Sequence, residues 1–483
     1  MFFTQLYDRS LAQASYLIGC QATGDAIVID PLRDVRPYLA VAEREGLRIT
    51  HVTETHIHAD FVSGARELAA ATGARLHLSA EGGSDWQYAF AASDGAELLR
   101  DGDVLMVGNI RLDVMHTPGH TPEHLSFVVT DTPAASGPMG ILTGDFVFVG
   151  DVGRPDLLEK AAKVANTMEA GARTLFQSLQ RFRSLPDHLQ VWPGHGAGSA
   201  CGKALGAVPS STVGYEKRAN WGVATLDEAE FVRMVLDGQP EPPAYFAHMK
   251  RINREGPTVL GTVRTPPRAE ASTLPDLVRE RAWLVDLRSA AEFVTGHVPG
   301  ALNLPLNRSF ATWAGSLLPY DVPLHLICGE RGDNAVSEIE AAVHDLAQIG
   351  LDRVVSWFDA EALDRWVREG REWQDVPLLS AHELASRRLR EPLQVLDVRG
   401  ASEFNAGHLP DVSNVPLGDL PTVAASLDVL TPIVVQCQSG ARSMIAASVL
   451  QRAGRQDVFN LIGGFVAWRD AGLPVDRSPR ESA

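Results

Sequence analysis

The stretch that decides the fold is THIHADFVSG, residues 55–64. It follows the β-branched run ITHVT at 49–53, which predicts a strand that ends where the motif begins. His56, His58 and Asp60 occupy alternate positions and carry side chains that bind metals. The pattern therefore predicts a metal site at the mouth of a strand-to-loop turn.

Length and composition indicate a globular protein of several domains. The chain has 483 residues, which predicts about three domains, and 45% of them are hydrophobic. It contains no run of ~18 apolar residues, and its start lacks a basic region ahead of an apolar one. We therefore expect a cytoplasmic protein that is neither secreted nor membrane-spanning.

Charge and cysteine usage narrow the choice of partners. The net charge of −17 disfavours nucleic acids and anionic membranes, and an anionic substrate would need a local basic patch.

The four cysteines have no C-x-x-C spacing, so no disulfide framework is expected. Cys20 lies in an apolar hairpin, where a buried small hydrophobe is expected. An acidic multidomain chain is also expected to self-associate as a homo-oligomer.

Three later segments bring further metal-capable groups. HTPGHTPEH at 116–124 is predicted to be a loop because its prolines and glycine break a helix. TGD at 143–145 ends an apolar strand, where a lone aspartate would be a turn or cap residue. PGH at 193–195 places another histidine in a turn after a strand. Together with the first motif, these segments predict one composite site.

The four segments together resemble the metallo-β-lactamase fold, an αββα sandwich, over residues 1–225. Hydrolases of the glyoxalase II type in that superfamily bind two metals, and the second needs histidine directly after the motif aspartate. Here that position is Phe61, which cannot ligate a metal. The resemblance therefore implies that the second metal position lacks a ligand.

Two histidines and one carboxylate leave positions open on a ferrous ion for substrate and dioxygen. Resemblance to the persulfide dioxygenases implies one Fe(II) per chain, with the ligands His56, His120 and Asp145. It implies that the ligands are oriented, or the pocket lined, by His58, Asp60 and His195. His116 and His124 are expected to be structural, since the motif does not require them.

Several residues are candidates for substrate binding. Arg154 in the segment GRPD could grip an anion in a forked geometry, the alternative being a surface ion pair. Cys201 lies among small residues beside a lysine; a lowered pKa would let it relay sulfur, the alternative being an inert thiol. The segment from Tyr215 to Trp221, with Lys217 and Arg218, could supply the local positive patch.

The second half of the chain contains an internal repeat. The proline-rich QPEPP at 239–243 predicts a linker over 226–257. DLRSAAEFVTGHVP, starting at Asp286, reappears 111 residues later as DVRGASEFNAGHLP, starting at Asp397. This period exceeds any solenoid unit, so two tandem parallel α/β domains are predicted, at 258–372 and 376–478.

The second copy carries a cysteine in a tight loop between a buried-type strand and a helix. Backbone N–H groups and the helix dipole favour a thiolate at Cys437, or a persulfide on it. The loop to Arg442 is one residue shorter than in cysteine-dependent phosphatases, which suits sulfur better than phosphate. It consists of Gln438, Ser439, Gly440 and Ala441. With the ending GGFVAW at 463–468, this copy resembles an active rhodanese.

The first copy departs from that pattern. Cys328 follows its strand as Cys437 does, but Arg331 replaces the loop glycine and Asp333 replaces the loop arginine. Glu330 and Asp333 are expected to raise the pKa of the thiol and to repel anionic sulfur donors. The first copy is therefore predicted to be an inactive spacer or docking domain.

The function that the resemblance implies is a persulfide dioxygenase fused to an active rhodanese. Such an enzyme oxidises a low-molecular-weight thiol persulfide, of glutathione, coenzyme A or another carrier, with O2 to sulfite. The rhodanese then forms or consumes thiosulfate in persulfide detoxification. The alternatives are a zinc-dependent thioester hydrolase of the glyoxalase II type with a sulfurtransferase domain, and a non-oxidising persulfide sensor or carrier.

Overall fold

The structure is a computed structural model that describes residues 1–160, 167–199, 201–203, 205–428 and 430–477. The described chain divides into two compact units. The first comprises residues 1–263 together with 347–350, and the second comprises the rest of the described residues from 264 onward. No described helix has the length and apolar character needed to cross a membrane.

The first unit contains two six-stranded sheets with the orders β1-β2-β3-β4-β5-β6 and β12-β11-β10-β9-β8-β7. Its strands are β1 (Phe2–Asp8), β2 (Gln13–Gly19), β3 (Asp25–Ile29), β4 (Arg48–Thr53), β5 (Arg75–Ser79), β6 (Glu97–Leu99), β7 (Val104–Val107), β8 (Ile110–His116), β9 (Leu125–Asp131), β10 (Gly140–Gly144), β11 (Gln190–Pro193) and β12 (Ser211–Thr212). Its helices are α1 (Arg36–Arg44), α2 (Ala65–Thr72), α3 (Leu157–Lys160), α4 (Met168–Ser184), α5 (Val213–Ala219), α6 (Trp221–Ala224), α7 (Glu228–Leu236) and α8 (Phe246–Glu255).

Hydrophobic burial makes these elements a four-layer sandwich. Residues of β2 and β3, such as Ile18 and Ile27, pack with residues of β8 and β9, such as Leu112 and Phe127, in a core between the sheets. Helices α1 and α2 cover the outer face of the first sheet, and α4 and α7 cover that of the second. The predicted αββα architecture is confirmed.

The second unit contains two parallel sheets, with the orders β14-β13-β15-β16 and β17-β21-β20-β18-β19. Its strands are β13 (Trp283–Asp286), β14 (Leu302–Asn303), β15 (Leu324–Ile327), β16 (Val354–Phe358), β17 (Leu378–Leu379), β18 (Gln394–Asp397), β19 (Ser413–Asn414), β20 (Ile433–Gln436) and β21 (Val458–Leu461). Its helices are α9 (Leu274–Arg279), α10 (Ala290–Thr295), α11 (Phe310–Leu317), α12 (Gly332–Gln348), α13 (Ala360–Arg368), α14 (Ala381–Arg388), α15 (Ala401–Ala406), α16 (Leu420–Val423), α17 (Ala441–Arg452) and α18 (Gly464–Asp470).

The two sheets of the second unit share one strand order, since β14, β13, β15 and β16 correspond to β19, β18, β20 and β21. The sheet of the second copy carries β17 in addition. The cysteine of each copy directly follows a strand in the middle of its sheet: Cys328 follows β15, and Cys437 follows β20. The predicted repeat of parallel α/β domains is therefore present. Residues 226–257, for which the sequence predicts a linker, lie in the first unit as α7 and α8.

Candidate metal centre and cysteine loop

Three segments of the first unit bring His56, His120 and Asp145 together. His56 follows β4, His120 lies in the loop between β8 and β9, and Asp145 directly follows β10. All three side chains are buried, and their candidate ligand atoms lie within 4.8 Å of one another. Oδ2 of Asp145 lies 3.9 Å from Nε2 of His56 and 3.6 Å from Nε2 of His120.

Hydrogen bonds orient both imidazoles with Nε2 toward this cluster. Nδ1 of His120 donates to the carbonyl of Arg154 at 3.1 Å, which leaves Nε2 with its lone pair. The hydroxyl of Thr55 donates to Asp30, so it accepts from Nδ1 of His56 at 2.9 Å. Burial, followed by the neighbouring imidazoles, lowers the pKa of His56 well below its usual value, so the ring is a neutral ligand.

The carboxylate of Asp145 also fits a metal ion. Both of its oxygens are buried and have no N–H or O–H donor among the described residues. Such atoms cost stability unless a ligand satisfies them. Nε2 of His124 accepts from the backbone N–H of Asp145 at 3.1 Å, so His124 positions the carboxylate, a structural role. The donor set of two neutral imidazoles and one carboxylate fits a divalent transition metal.

His58 points away from this cluster. Its Nε2 donates to Oδ1 of Asp30 at 3.1 Å, and the same carboxylate holds Thr55 behind His56. Burial alone would lower the pKa of His58, but Asp30 and neighbouring carboxylates raise it to about 9. His58 therefore supports the candidate ligands through Asp30, which also holds Thr55 behind His56. No motif marks Asp30 in the sequence, since it directly follows β3 as a single carboxylate.

Asp60 and His195 lie beside Asp145. Nε2 of His195 is 3.3 Å from Oδ2 of Asp60 and 3.5 Å from Oδ2 of Asp145. Cys201 joins them, buried, with its sulfur within 4.8 Å of the ligand atoms of Asp60 and His195. Burial, followed by Asp145 and Asp60, raises the pKa of Cys201 well above its usual value. The expected proximity to the metal centre is found, whereas the expected lowering of the pKa is wrong.

Arg154 is fully buried, and its guanidinium is engaged by neighbouring residues. Its Nε and Nη2 donate to Asp156 at 3.0 and 2.7 Å, and Nη2 also donates to the carbonyl of Pro240. The guanidinium forms a buried ion pair, and its backbone carbonyl holds His120. The prediction that Arg154 grips substrate is therefore corrected, because its fork is already engaged by a carboxylate.

On α5, Lys217 does not offer a free charge to the predicted basic patch either. Lys217 donates to Oδ1 of Asp187 and to the carbonyl of Leu185, both at 2.6 Å. Asp187 thus neutralises the lysine charge. Tyr215 on the same helix is 57% exposed to solvent. Neither side chain contributes to the buried metal cluster.

Helix α8 supplies residues that sequence analysis missed. Asn253 donates to the carbonyls of His58 and Phe61 and accepts from the N–H of Ser63, so it clamps the backbone of the histidine motif. Lys250 acts electrostatically on His120 and on the buried Glu123. Neither residue stands in a motif, so one sequence offers no signal for them.

The cysteine loop of the second copy cradles the sulfur of Cys437. The side chain is buried directly after β20, and Sγ accepts from the N–H of Gly440 at 3.2 Å. The hydroxyl of Ser443 lies 3.5 Å from Sγ and donates to Oδ1 of Asn460 at 2.6 Å. Gly440 has φ +100°, a left-handed conformation that turns the chain into α17. The loop therefore directs a backbone N–H at the sulfur, as predicted from the sequence.

The segment GGFVAW at 463–468 holds this loop by backbone hydrogen bonds. The N–H of Phe465 donates to the carbonyl of Cys437 at 2.8 Å, and that of Val466 donates to the carbonyl of Gln438 at 3.1 Å. A Cβ on Gly464 would lie 2.1 Å from the carbonyl oxygen of Cys437. Close approach of two backbones therefore requires glycine at 464.

Arg442 and Gln438 face charged partners. Arg442 forms a bidentate pair with Glu403, with both distances 2.7 Å. Cys437 is among the groups that raise the pKa of Arg442, after Glu403, so the guanidinium lies near the sulfur. Gln438 accepts from Arg399, which pairs with Asp397.

The first copy has an acidic surrounding in place of the arginine. Burial, followed by Glu338, raises the pKa of Cys328 to about 12, with a further contribution from Asp359. The direction is the one expected, but the acids come from α12 and the end of β16, not from Glu330 and Asp333. This thiol is therefore a poor nucleophile at neutral pH.

Comparison with known proteins agrees with this architecture. A model of the metallo-beta-lactamase superfamily matches residues 9–195, and one of the rhodanese-like domain matches 270–359 and 380–471. The crystal structure of a metallo-beta-lactamase from Staphylococcus aureus subsp. aureus COL is 44% identical and covers 74% of this chain and 99% of its own, with a TM-score of 0.67. The chain belongs to the metallo-beta-lactamase superfamily. In this member, two rhodanese-like domains follow the metallo-beta-lactamase domain.

Two curated relatives have hydrolase names. A beta-lactamase hydrolase-like protein of Xylella fastidiosa (strain Temecula1 / ATCC 700964) is 29% identical over 298 residues, 54% of this chain and 61% of the relative. A hydroxyacylglutathione hydrolase of Nitrosococcus oceani is 35% identical over 189 residues, 38% of this chain and 61% of the relative. The chain thus spans about three fifths of the length of both relatives.

Proposed function

We propose that this chain oxidises a low-molecular-weight thiol persulfide to sulfite and that its last domain transfers sulfur at Cys437. The observation that carries the proposal is the pairing, in one chain, of two centres. One is the buried triad of His56, His120 and Asp145, and the other is a cysteine loop that directs a backbone N–H at sulfur. Fusion of the two would raise the local concentration of the sulfur species they share.

The metal that we propose for the triad is Fe(II), one per chain. Two neutral imidazoles and a carboxylate suit this ion and leave positions for other ligands. Ferrous iron held there would bring dioxygen and the terminal sulfur of the persulfide together. The residues of the chain hold the ligand geometry: Arg154 orients His120 through its carbonyl, and Thr55 orients His56.

An anionic persulfide also needs a positive charge at the buried centre. Lys250 of α8 supports this role in its protonated form, whose charge acts on His120 and on Glu123. Burial lowers the pKa of Lys250 to about 7, against the raising effect of Glu123, so the charged and neutral forms are both present at neutral pH. Its ammonium lies 3.9 Å from the ring centroid of Trp86, a contact that holds the side chain in place. We assign to Lys250 the attraction that Arg154 and Lys217 do not offer.

The sulfur-transfer step that we propose uses Cys437 as the nucleophile. Its Sγ attacks the outer sulfur of thiosulfate, the sulfur–sulfur bond breaks, and sulfite leaves with the bonding electron pair. The reverse reaction transfers sulfur from the Cys437 persulfide to sulfite and forms thiosulfate. The N–H of Gly440 stabilises the anionic sulfur in either direction, and the positive charge of Arg442, whose guanidinium is held by Glu403, lies near it.

The test is metal content and oxygen uptake of the full chain with glutathione persulfide and with coenzyme A persulfide. Wild type should contain one iron and consume oxygen, and His120→Ala should lose both. Cys437→Ser should consume oxygen but change the ratio of sulfite to thiosulfate, while the matched variant Cys328→Ser should keep the wild-type ratio. Iron without oxygen uptake on any persulfide would refute oxidation and favour a persulfide sensor or carrier.

A zinc-dependent thioester hydrolase with a sulfurtransferase domain is the second candidate. The similarity to a hydroxyacylglutathione hydrolase favours it. Phe61 speaks against it, since it lies fully buried in an apolar cluster with Leu11 and Leu32 and cannot bind a second metal. Zinc in the purified protein, with hydrolysis of a hydroxyacyl glutathione thioester and no oxygen uptake, would replace the first proposal with this one.

A further inference from the structure

Two arginines approach the cysteine loop of the second copy, and each is paired with a carboxylate. Arg442 donates from Nη1 and Nη2 to the two oxygens of Glu403, both at 2.7 Å. Arg399 donates from Nη1 to Oε1 of Gln438 at 3.1 Å and from Nη2 to Asp397 at 2.7 Å. The positive charge of each arginine is therefore balanced by a negative charge at hydrogen-bond distance.

The two pairs differ in their access to solvent. The side chains of Arg399 and Asp397 are at most 2% exposed. Those of Arg442 and Glu403 are 23% and 37% exposed. Because Arg442 lies near the sulfur of Cys437, an anion that arrives from solvent meets a guanidinium that a carboxylate already holds.

The first copy has a carboxylate at the same place, and there it acts on the cysteine pocket. Glu292 corresponds to Glu403 at the 111-residue offset of the repeat. Its Oε1 lies 3.4 Å from the position that a Cβ on Gly329, the residue after Cys328, would take. Burial, followed by neighbouring carboxylates that include Glu292, raises the pKa of Glu338 to about 7. A carboxylate at this place of the fold is therefore close enough to influence charge beside the cysteine.

We propose that Glu403 determines donor specificity, so that Cys437 prefers an organic persulfide, which carries little charge at the reacting sulfur, over thiosulfate. The inference rests on the proposed sulfur transfer at Cys437 and names its donor class. A thiol persulfide has at most one negative charge on its outer sulfur, whereas thiosulfate is a dianion. Glu403 repels the dianion more strongly and occupies Nη1 and Nη2 of Arg442, which would otherwise form a fork with its oxygens.

The transfer from a persulfide balances without any further reactant. Sγ of the Cys437 thiolate attacks the outer sulfur, a new sulfur–sulfur bond forms, and the bond to the inner sulfur breaks. The carrier thiolate leaves with the bonding electron pair, so the total charge is unchanged. When the Cys437 persulfide later passes its sulfur to sulfite, Glu403 repels the thiosulfate that forms and favours its release.

The experiment measures how the charge of a reagent affects its reaction with Cys437 in the full chain. The reagents are iodoacetate, an anion, and iodoacetamide, which is neutral, and the product is quantified by mass spectrometry of the peptide that contains Cys437. In Glu403→Gln, an amide oxygen can still accept from Arg442 and from the N–H of Gly400, but the charge is gone. This variant should raise the ratio of the iodoacetate rate to the iodoacetamide rate ~5-fold and lower the KM for thiosulfate by a similar factor.

Two variants serve as controls. Glu403→Asp keeps the charge and should keep the wild-type ratio of reagent rates. Glu391 pairs with Arg387 in the same domain, and their side chains are 42% and 26% exposed, close to the values at the loop. Glu391→Gln therefore removes the same charge from a similar pair elsewhere, and it should leave both the ratio and the KM for thiosulfate unchanged.

An unchanged ratio in Glu403→Gln, including equal slowing of both reagents, would overturn the proposal, because a merely structural role gives that result. A wild-type kcat/KM higher for thiosulfate than for glutathione persulfide would also overturn it, and this comparison needs no variant. A raised ratio in a protein that transfers sulfur from neither donor would refute the proposed function but support the effect of Glu403 on anions at Cys437.

Discussion

Replacing Gly464 with alanine should disrupt the cysteine loop of the last domain. The added Cβ would lie 2.1 Å from the carbonyl oxygen of Cys437 and 2.9 Å from the carbonyl carbon of Gln438. These are backbone atoms, so no side chain can rotate out of the way. An ordinary contact requires more than 3 Å, so the loop that carries the sulfur must move by about 1 Å.

The expected loss of folding free energy in Gly464→Ala has two parts, one from the backbone conformation and one from the displaced loop. Gly464 has φ +56°, and a non-glycine residue in this conformation loses about 1 kcal/mol of folding free energy. The displacement also breaks the hydrogen bond from the N–H of Phe465 to the carbonyl of Cys437, worth about 1 kcal/mol, and adds steric strain of about 1–2 kcal/mol. A shift of ~1 Å at the nucleophile should lower the rate of sulfur transfer by roughly 100-fold.

Gly472→Ala is the matched control. Gly472 has φ +70° in the same domain, and a Cβ there would meet no atom within 4 Å. It should therefore lose only the conformational part, about 1 kcal/mol, and keep its activity. The assays are sulfur transfer from thiosulfate to cyanide and urea unfolding. Equal activity and stability of the two alanine variants would refute the argument that the contact at Cys437 shapes the loop.

Three further predictions concern other parts of the chain. With its pKa raised to about 12, Cys328 is a thiolate in roughly one molecule in 10⁴ at pH 8. Iodoacetamide should therefore label Cys437 before it labels Cys328. Mass spectrometry that found equal labelling of these two cysteines would contradict this. Burial, followed by His51, lowers the pKa of His77 to about 4, so the unfolded chain takes up this proton below pH 6.5 while the folded chain does not. The free energy of unfolding should therefore fall from pH 6.5 to pH 4, and urea titrations should show a shallower fall in His77→Leu. Asn253→Ala leaves three backbone groups of the histidine motif without their partner and should cost about 2–3 kcal/mol and lower metal content, whereas Arg251→Ala on the exposed face of α8 should change neither.

The architecture could be predicted from the sequence because its signals are local. The alternation of His56, His58 and Asp60 after a β-branched run, and the recurrence of one pattern at Asp286 and Asp397, each occupy a short stretch. Strand, turn and helix preferences act over the same distances, so the motifs could be placed at strand ends before any contact was known. The αββα domain and the parallel repeats follow this prediction.

The roles of the cationic side chains could not be predicted from the sequence, because each depends on a partner that no short motif identifies. Arg154 has the fork that an anion needs, but Asp156 and Pro240 already occupy it. Lys217 is likewise neutralised by Asp187. Lys250, whose charge acts on His120, and Asn253, which holds the backbone of the histidine motif, come from a helix that the proline-rich stretch had suggested as part of a linker.

The sequence by itself determined the kinds of ligand, their order and the presence of a cysteine loop, since these depend on residue type and short spacing. Only the tertiary structure decided that His58 turns to Asp30, that Cys201 lies beside Asp60 and His195, and which acids surround Cys328. The physical reason is that hydrogen bonds, ion pairs and metal contacts act over a few ångströms. Packing of the whole fold sets which distant residues come that close.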